Sequence, residues 1–72
     1  MHLGVGVVTA VQQDSSFVFE NVSTHQVTFV QEPSPQFVTW QGMTAEVTLH
    51  FDEGAYNPSY VEVRHVIPGD SK

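Results

Sequence analysis

The run Met43-Thr44-Ala45-Glu46-Val47-Thr48-Leu49-His50-Phe51 alternates apolar and polar side chains without a break. A period of two places Met43, Ala45, Val47, Leu49 and Phe51 on one face of a pleated strand, and Thr44, Glu46, Thr48 and His50 on the other. The run therefore predicts a half-buried strand. Beyond it, Asp52-Glu53-Gly54 and Asn57-Pro58 mark a turn, and the residues from Tyr60 to Ile67 read as a further strand closed by Pro68-Gly69. Asp70-Ser71-Lys72 reads as a frayed tail.

On the other side, a strand is predicted over Gln26-Val27-Thr28-Phe29-Val30, stopped by the Pro33-Ser34-Pro35 cluster. The longest connection then covers residues 31–42. Nearer the start, Val5, Val7, Thr9 and Val11 alternate with other residues, and Gln12-Gln13-Asp14-Ser15-Ser16 reads as a turn before Phe17-Val18-Phe19. These two segments form a predicted hairpin, separated from the third strand by the polar residues 21–24. Five short strands with one long connection between the third and fourth predict an all-β fold. The expected form is a small five-stranded antiparallel Greek-key barrel of the OB type, with an SH3-like barrel as competitor. Residues 1–72 read as a single domain, without internal repeat or low-complexity tract.

Composition agrees with this reading. Valine and threonine dominate, whereas leucine occurs only at Leu3 and Leu49 and isoleucine only at Ile67, which favours strands over helices. The chain has 72 residues, 2 basic and 8 acidic side chains, a net charge of −6, 40% hydrophobic residues and no cysteine. So short a chain buries only about 60% of the surface its unfolded form exposes, and no disulfide can compensate. The five Phe, two Tyr and one Trp exclude a disordered acidic chain. No apolar run approaches the roughly 18 residues of a membrane span, and the start lacks the charged region and cleavage site of a signal peptide, so a cytoplasmic, soluble protein is expected. In that compartment the Asn21-Val22-Ser23 sequon reads as a chance match. The acidic balance argues against indiscriminate binding to phosphate backbones or anionic membranes, since the long-range field repels both.

The chain resembles the cold-shock domain, a five-stranded OB-fold that binds single-stranded nucleic acid on an aromatic face. In the C-terminal half, Val47-Thr48-Leu49-His50-Phe51-Asp52-Glu53-Gly54, Asn57-Pro58 and Val63 follow that family's pattern of strand, acidic-glycine turn and final strand. In the N-terminal half, Gly6-Val7-Val8 is similar to its opening strand. Phe17-Val18-Phe19 stands where the first ribonucleoprotein motif places two phenylalanines around a glycine, and Phe37-Val38-Thr39-Trp40 is similar to a segment of its long loop. The resemblance implies Phe17, Phe19 and Phe37 as base-stacking residues. It also places the second motif within residues 26–31, where Phe29 is the one aromatic; one strand register aims Phe29 at the ligand face, the other at the core. The sequence departs from the family where Ala10 replaces an exposed tryptophan, Ser15 and Ser16 replace Lys-Gly, and Val18 replaces the glycine. The interval from Trp40 to Val47 is one residue longer than in the family.

Two functions follow. The first is weak binding of single-stranded DNA or RNA by stacking on Phe17, Phe19, Phe37 and Phe29, with Arg64 the one basic residue ahead of the tail to meet a phosphate. The second is a protein-protein interaction or self-association module, including a homodimer, which keeps the fold and uses the same aromatic surface, with Trp40, Phe37, Tyr56 and Tyr60 as candidate anchors. Strand edges offer that module a further route. Metal binding is not expected: His50 and Asp52 share a strand face but lack further ligands, and Trp40-Gln41-Gly42-Met43, similar to a Trp-x-x-Met copper element, has Ala45 where a second methionine is needed. An enzyme is not expected either, since no nucleophile motif, phosphate loop or paired acid is present, and no cofactor or small-molecule substrate is implied.

Overall fold

Residues 1–31 and 39–67 are described by the computed structural model. Within them the chain forms β1 (His2–Val11), β2 (Phe17–Asn21), β3 (Val27–Val30), β4 (Thr44–His50) and β5 (Tyr60–His65), and no helix. All neighbouring strands pair antiparallel in the order β3-β2-β1-β4-β5. The run β4-β1-β2-β3 has the spatial order of a Greek key, because the long connection after β3 returns the chain to the far side of β1. The expected tail at 70–72 and Phe37 lie outside the described residues.

β4 forms as its alternation predicts: Ala45, Val47 and Leu49 are buried, and Thr44, Glu46, Thr48 and His50 face outward. Phe51 departs from that pattern. It lies past the end of β4 and is exposed, because the strand pairing stops at His50 and Tyr60. β1 begins at His2, three residues before the alternation becomes legible. Two irregularities hide its start and shift its phase, one between His2 and Gly4 against β4 and one between Val8 and Ala10 against β2. Each inserts an extra residue that turns later side chains to the other face.

Gly6 is required by a close approach. A Cβ there would stand 2.1 Å from the Glu20 carbonyl oxygen and 2.7 Å from Cζ of Phe19. The bare backbone of Gly6 thus lets β2 and the Phe19 ring settle against β1. Asn21 secures the same corner: its Nδ2 donates to the Leu3 carbonyl at 2.7 Å, and its Oδ1 accepts from the Ser23 and Thr24 amides at 2.7 and 2.9 Å. The β2–β3 turn is therefore fastened to the irregular start of β1 by one side chain.

The core lies on the inner side of the curled sheet and consists of Val8, Phe17, Phe19, Val30, Met43, Ala45, Val47, Leu49 and Val61, with Leu3 and Val63 packed at its rim. Each fully buried Phe or Val side chain contributes about 1.5–3 kcal/mol of transfer free energy. Among the described residues, Ser16 is the one polar residue buried with them, its amide donating to Asp14 Oδ1 at 3.0 Å in the β1–β2 turn.

Candidate interaction surface

The register of β2 decides which aromatic rings can meet a ligand. Phe17 pairs with Val11 on one side and Val30 on the other, while Phe19 pairs with Val8 and Thr28. Paired residues in an antiparallel ladder share a face, and Val8 and Val30 are buried, so both rings point into the core. Phe17 is 0% and Phe19 1% exposed. Neither ring has a face free for a base, so the stacking role expected for them is corrected: both are core residues. The intervening Val18 takes the outer position instead, where the resembled family has glycine.

Phe29 has the opposite orientation. It pairs with Val18 on the outer face and is 53% exposed. Arg64 reaches Glu46, donating to Oε1 from Nε at 3.0 Å and from Nη2 as well. The guanidinium beside Glu46, hydrogen-bonded first and then through its charge, holds that carboxyl below the ordinary carboxylate value. Arg64 is therefore paired with a carboxylate while its side chain stays 70% exposed. Of the five expected contact residues, Phe29 presents an exposed ring and Arg64 an exposed guanidinium paired with Glu46, Phe17 and Phe19 are buried, and Phe37 lies outside the described residues.

Around Phe29 the outer face of β1, β2 and β3 is rich in apolar residues. The ladder sets Ala10, Val18 and Phe29 in one row and Val7, Glu20 and Val27 in the next. Val5 and Val22 extend it, joined where the Val22 amide donates to the Val5 carbonyl at 3.1 Å. Glu20 is the carboxylate within this field, and His25 Nδ1 stands 3.5 Å from its Oε2. A shallow depression of about 310 Å³ lies between Val7, Thr9, Glu20, Val22 and His25. These valines were not singled out from sequence; the signal that marks them is the breakdown of alternation in Phe17-Val18-Phe19 and Val27-Thr28-Phe29-Val30, where both faces carry apolar residues.

The outer face of β4 and β5 differs. His2 Nε2 lies 3.5 Å from Glu46 Oε2, its Nδ1 3.0 Å from Thr48 Oγ1, and His50 Nε2 2.8 Å from Glu62 Oε1. Tyr60 stacks parallel on His50 with ring centroids 4.2 Å apart; on the other face, where His65 pairs with Ala45, Trp40 meets His65 edge-on at 4.9 Å. Of the aromatic anchors expected for a protein partner, Trp40 is half-exposed against His65, Tyr60 is half-exposed at the start of β5, and Tyr56 projects from the turn before it. Among the described residues no three His, Asp or Glu side chains converge as a metal site. A second concavity, of about 350 Å³, opens at the end of the sheet between Leu3, Phe19, Asn21, Gln26 and Thr28, where Asn21 is already engaged by its turn.

The chain matches no family model, no curated protein and no solved structure.

Proposed function

We propose that the chain is a non-enzymatic protein-interaction module of OB-type, cold-shock-like architecture, and that it meets its partner through the outer face of β1, β2 and β3. The strand order, with β1 between β2 and β4, supports the OB-type assignment. The observation that carries the functional reading is the inversion at β2, which sends Phe17 and Phe19 inward and leaves valines outside.

Magnitudes favour a protein over a nucleic acid. On the outer face of β1, β2 and β3, Phe29 is the one exposed ring among the described residues; a base stacked on it gains about 1–3 kcal/mol, which corresponds to binding no tighter than millimolar even before association costs. The net charge of −6, with Arg64 paired to Glu46, weakens the electrostatic attraction that a nucleic-acid binder adds to stacking. An apolar field with little charge has the composition of a protein interface core.

The test is fluorescence anisotropy of dye-labelled heptathymidine and heptauridine mixed with the full chain. At about 0.01 M salt, where phosphate contacts are strongest, no saturable change is expected up to about 0.1 mM protein. Saturable binding that weakens on raising salt to about 0.15 M contradicts the proposal.

A further inference from the structure

Resting on the protein-interaction reading above, we infer that the partner of the β3 edge is a second copy of this chain, joined by antiparallel pairing of β3 with β3. The main-chain pattern directs the edge. The Asn21 amide donates to the Gln26 carbonyl at 3.0 Å, which makes these two a hydrogen-bonded pair. Alternation then turns the main-chain groups of Thr28 and Val30 toward β2 and those of Val27 and Phe29 away from it. Among the described residues no main-chain group meets the outward N–H and C=O of Val27 and Phe29.

The two edges of the sheet are equipped differently. β5 carries Glu62 and Arg64 on its outer face, both exposed, the charged arrangement that discourages strand addition. From Gln26 to Gln31 the other edge has no charged residue at all, and Val27 and Phe29 are 59% and 53% exposed.

This edge is also self-complementary. A two-fold axis passing between the Thr28 residues sets Val27 of each copy opposite Phe29 of the other, with both side chains on the outer face. It also sets Thr28 opposite Thr28 on the inner face. Four main-chain hydrogen bonds close the outward groups, and no like charges stand opposed across the seam. The apolar outer face of β1, β2 and β3 then runs continuously through the pair.

Charge fixes the salt response. Each copy carries −6, and side by side their centres stand on the order of 25 Å apart, the intermediate dimension of the domain. Screened Coulomb repulsion over that distance nearly vanishes with a Debye length of about 8 Å at 0.15 M salt, but persists with one of about 30 Å at 0.01 M. Dimerisation is therefore expected to be on the order of fiftyfold tighter at the higher salt, opposite in sign to phosphate binding. A four-residue edge makes an interface below the size of stable complexes, so the dimer forms at about 0.1–1 mM protein.

Sedimentation equilibrium of the full chain up to about 1 mM, at both salt concentrations, tests this. Two variants accompany it, each checked for cooperative unfolding. Val27→Pro removes an outward donor that β2 does not use, and Phe29→Lys places a charge on the edge. The expected result is a salt-strengthened dimer in the parent chain, weakened at least about tenfold in both variants, or in whichever one remains folded. A monomer throughout, or a dimer that either folded variant leaves unchanged, overturns the inference. Neither result touches the protein-interaction reading, which fails separately if the oligonucleotides bind.

Discussion

Phe29 stands opposite Val18 on the outer face of the β2–β3 ladder, one residue out of phase with Phe17 and Phe19, which face the core. A single step along a strand changes the face a side chain occupies, so this pairing divides the aromatic residues between stability and surface. Phe17→Ala and Phe19→Ala are each expected to cost about 3–5 kcal/mol, against a total stability of about 4–10 kcal/mol for a domain of this size. Phe29→Ala removes only a cross-strand pair and is expected to cost about 1 kcal/mol or less. Urea denaturation followed by circular dichroism checks the contrast; equal costs at the three positions would show the faces to be misassigned.

Gly6→Ala is expected to be strongly disruptive, because Gly6 is buried in the central strand of the sheet. The new methyl meets the Glu20 carbonyl and the Phe19 ring at distances no side chain tolerates, so β1 and β2 must separate. A loss of about 2–3 kcal/mol or more follows, read as a drop in the thermal midpoint. A midpoint within a degree or two of the parent would mean that the strands do not approach closely at this position.

Asn21→Ala removes one donor and one acceptor that together serve three main-chain groups, joining the start of β1 to the β2–β3 turn. The expected loss is about 1–3 kcal/mol, with faster amide exchange at Ser23 and Thr24 than elsewhere in the sheet. Unchanged exchange at those two amides would remove the side chain from this role.

Among the described residues, two lowered carboxylates contribute to the acid limb of the stability curve. Arg64 lowers Glu46 first by hydrogen bonding and then by charge, and the Ser16 amide followed by its hydroxyl lowers Asp14. A carboxyl lowered in the folded state contributes stability above its unfolded value, and that contribution is lost as pH falls through the folded value. Self-repulsion acts the other way, relaxing as the pH approaches the isoelectric point near 4.7. Stability is thus expected to hold or rise from neutral pH toward about 5, then fall below about 4. Glu46→Gln flattens the fall if the reading is right; an acid limb of unchanged steepness in that variant contradicts it.

Strand locations were largely legible because the chain alternates and its turns are punctuated. Met43 to Phe51 displayed β4 almost to the residue, and Pro33 and Pro35 placed the end of β3. The faces were less legible. In Phe17-Val18-Phe19 either phase buries apolar side chains, and only the irregularity between Val8 and Ala10 and the burial of Ser16 fix which phase forms. The engagement of Arg64 by Glu46 was hidden for another reason. It spans two strands and depends on the β4–β5 register, which no local pattern states.

The most direct test of the account is ring-by-ring solvent exposure, measured by NMR relaxation with a soluble gadolinium chelate and selectively labelled phenylalanine. The account predicts strong broadening of Phe29 and Phe51 and protection of Phe17 and Phe19. Broadening of Phe17 and Phe19 with protection of Phe29 would contradict it, and would return those two rings to the surface where a base could stack.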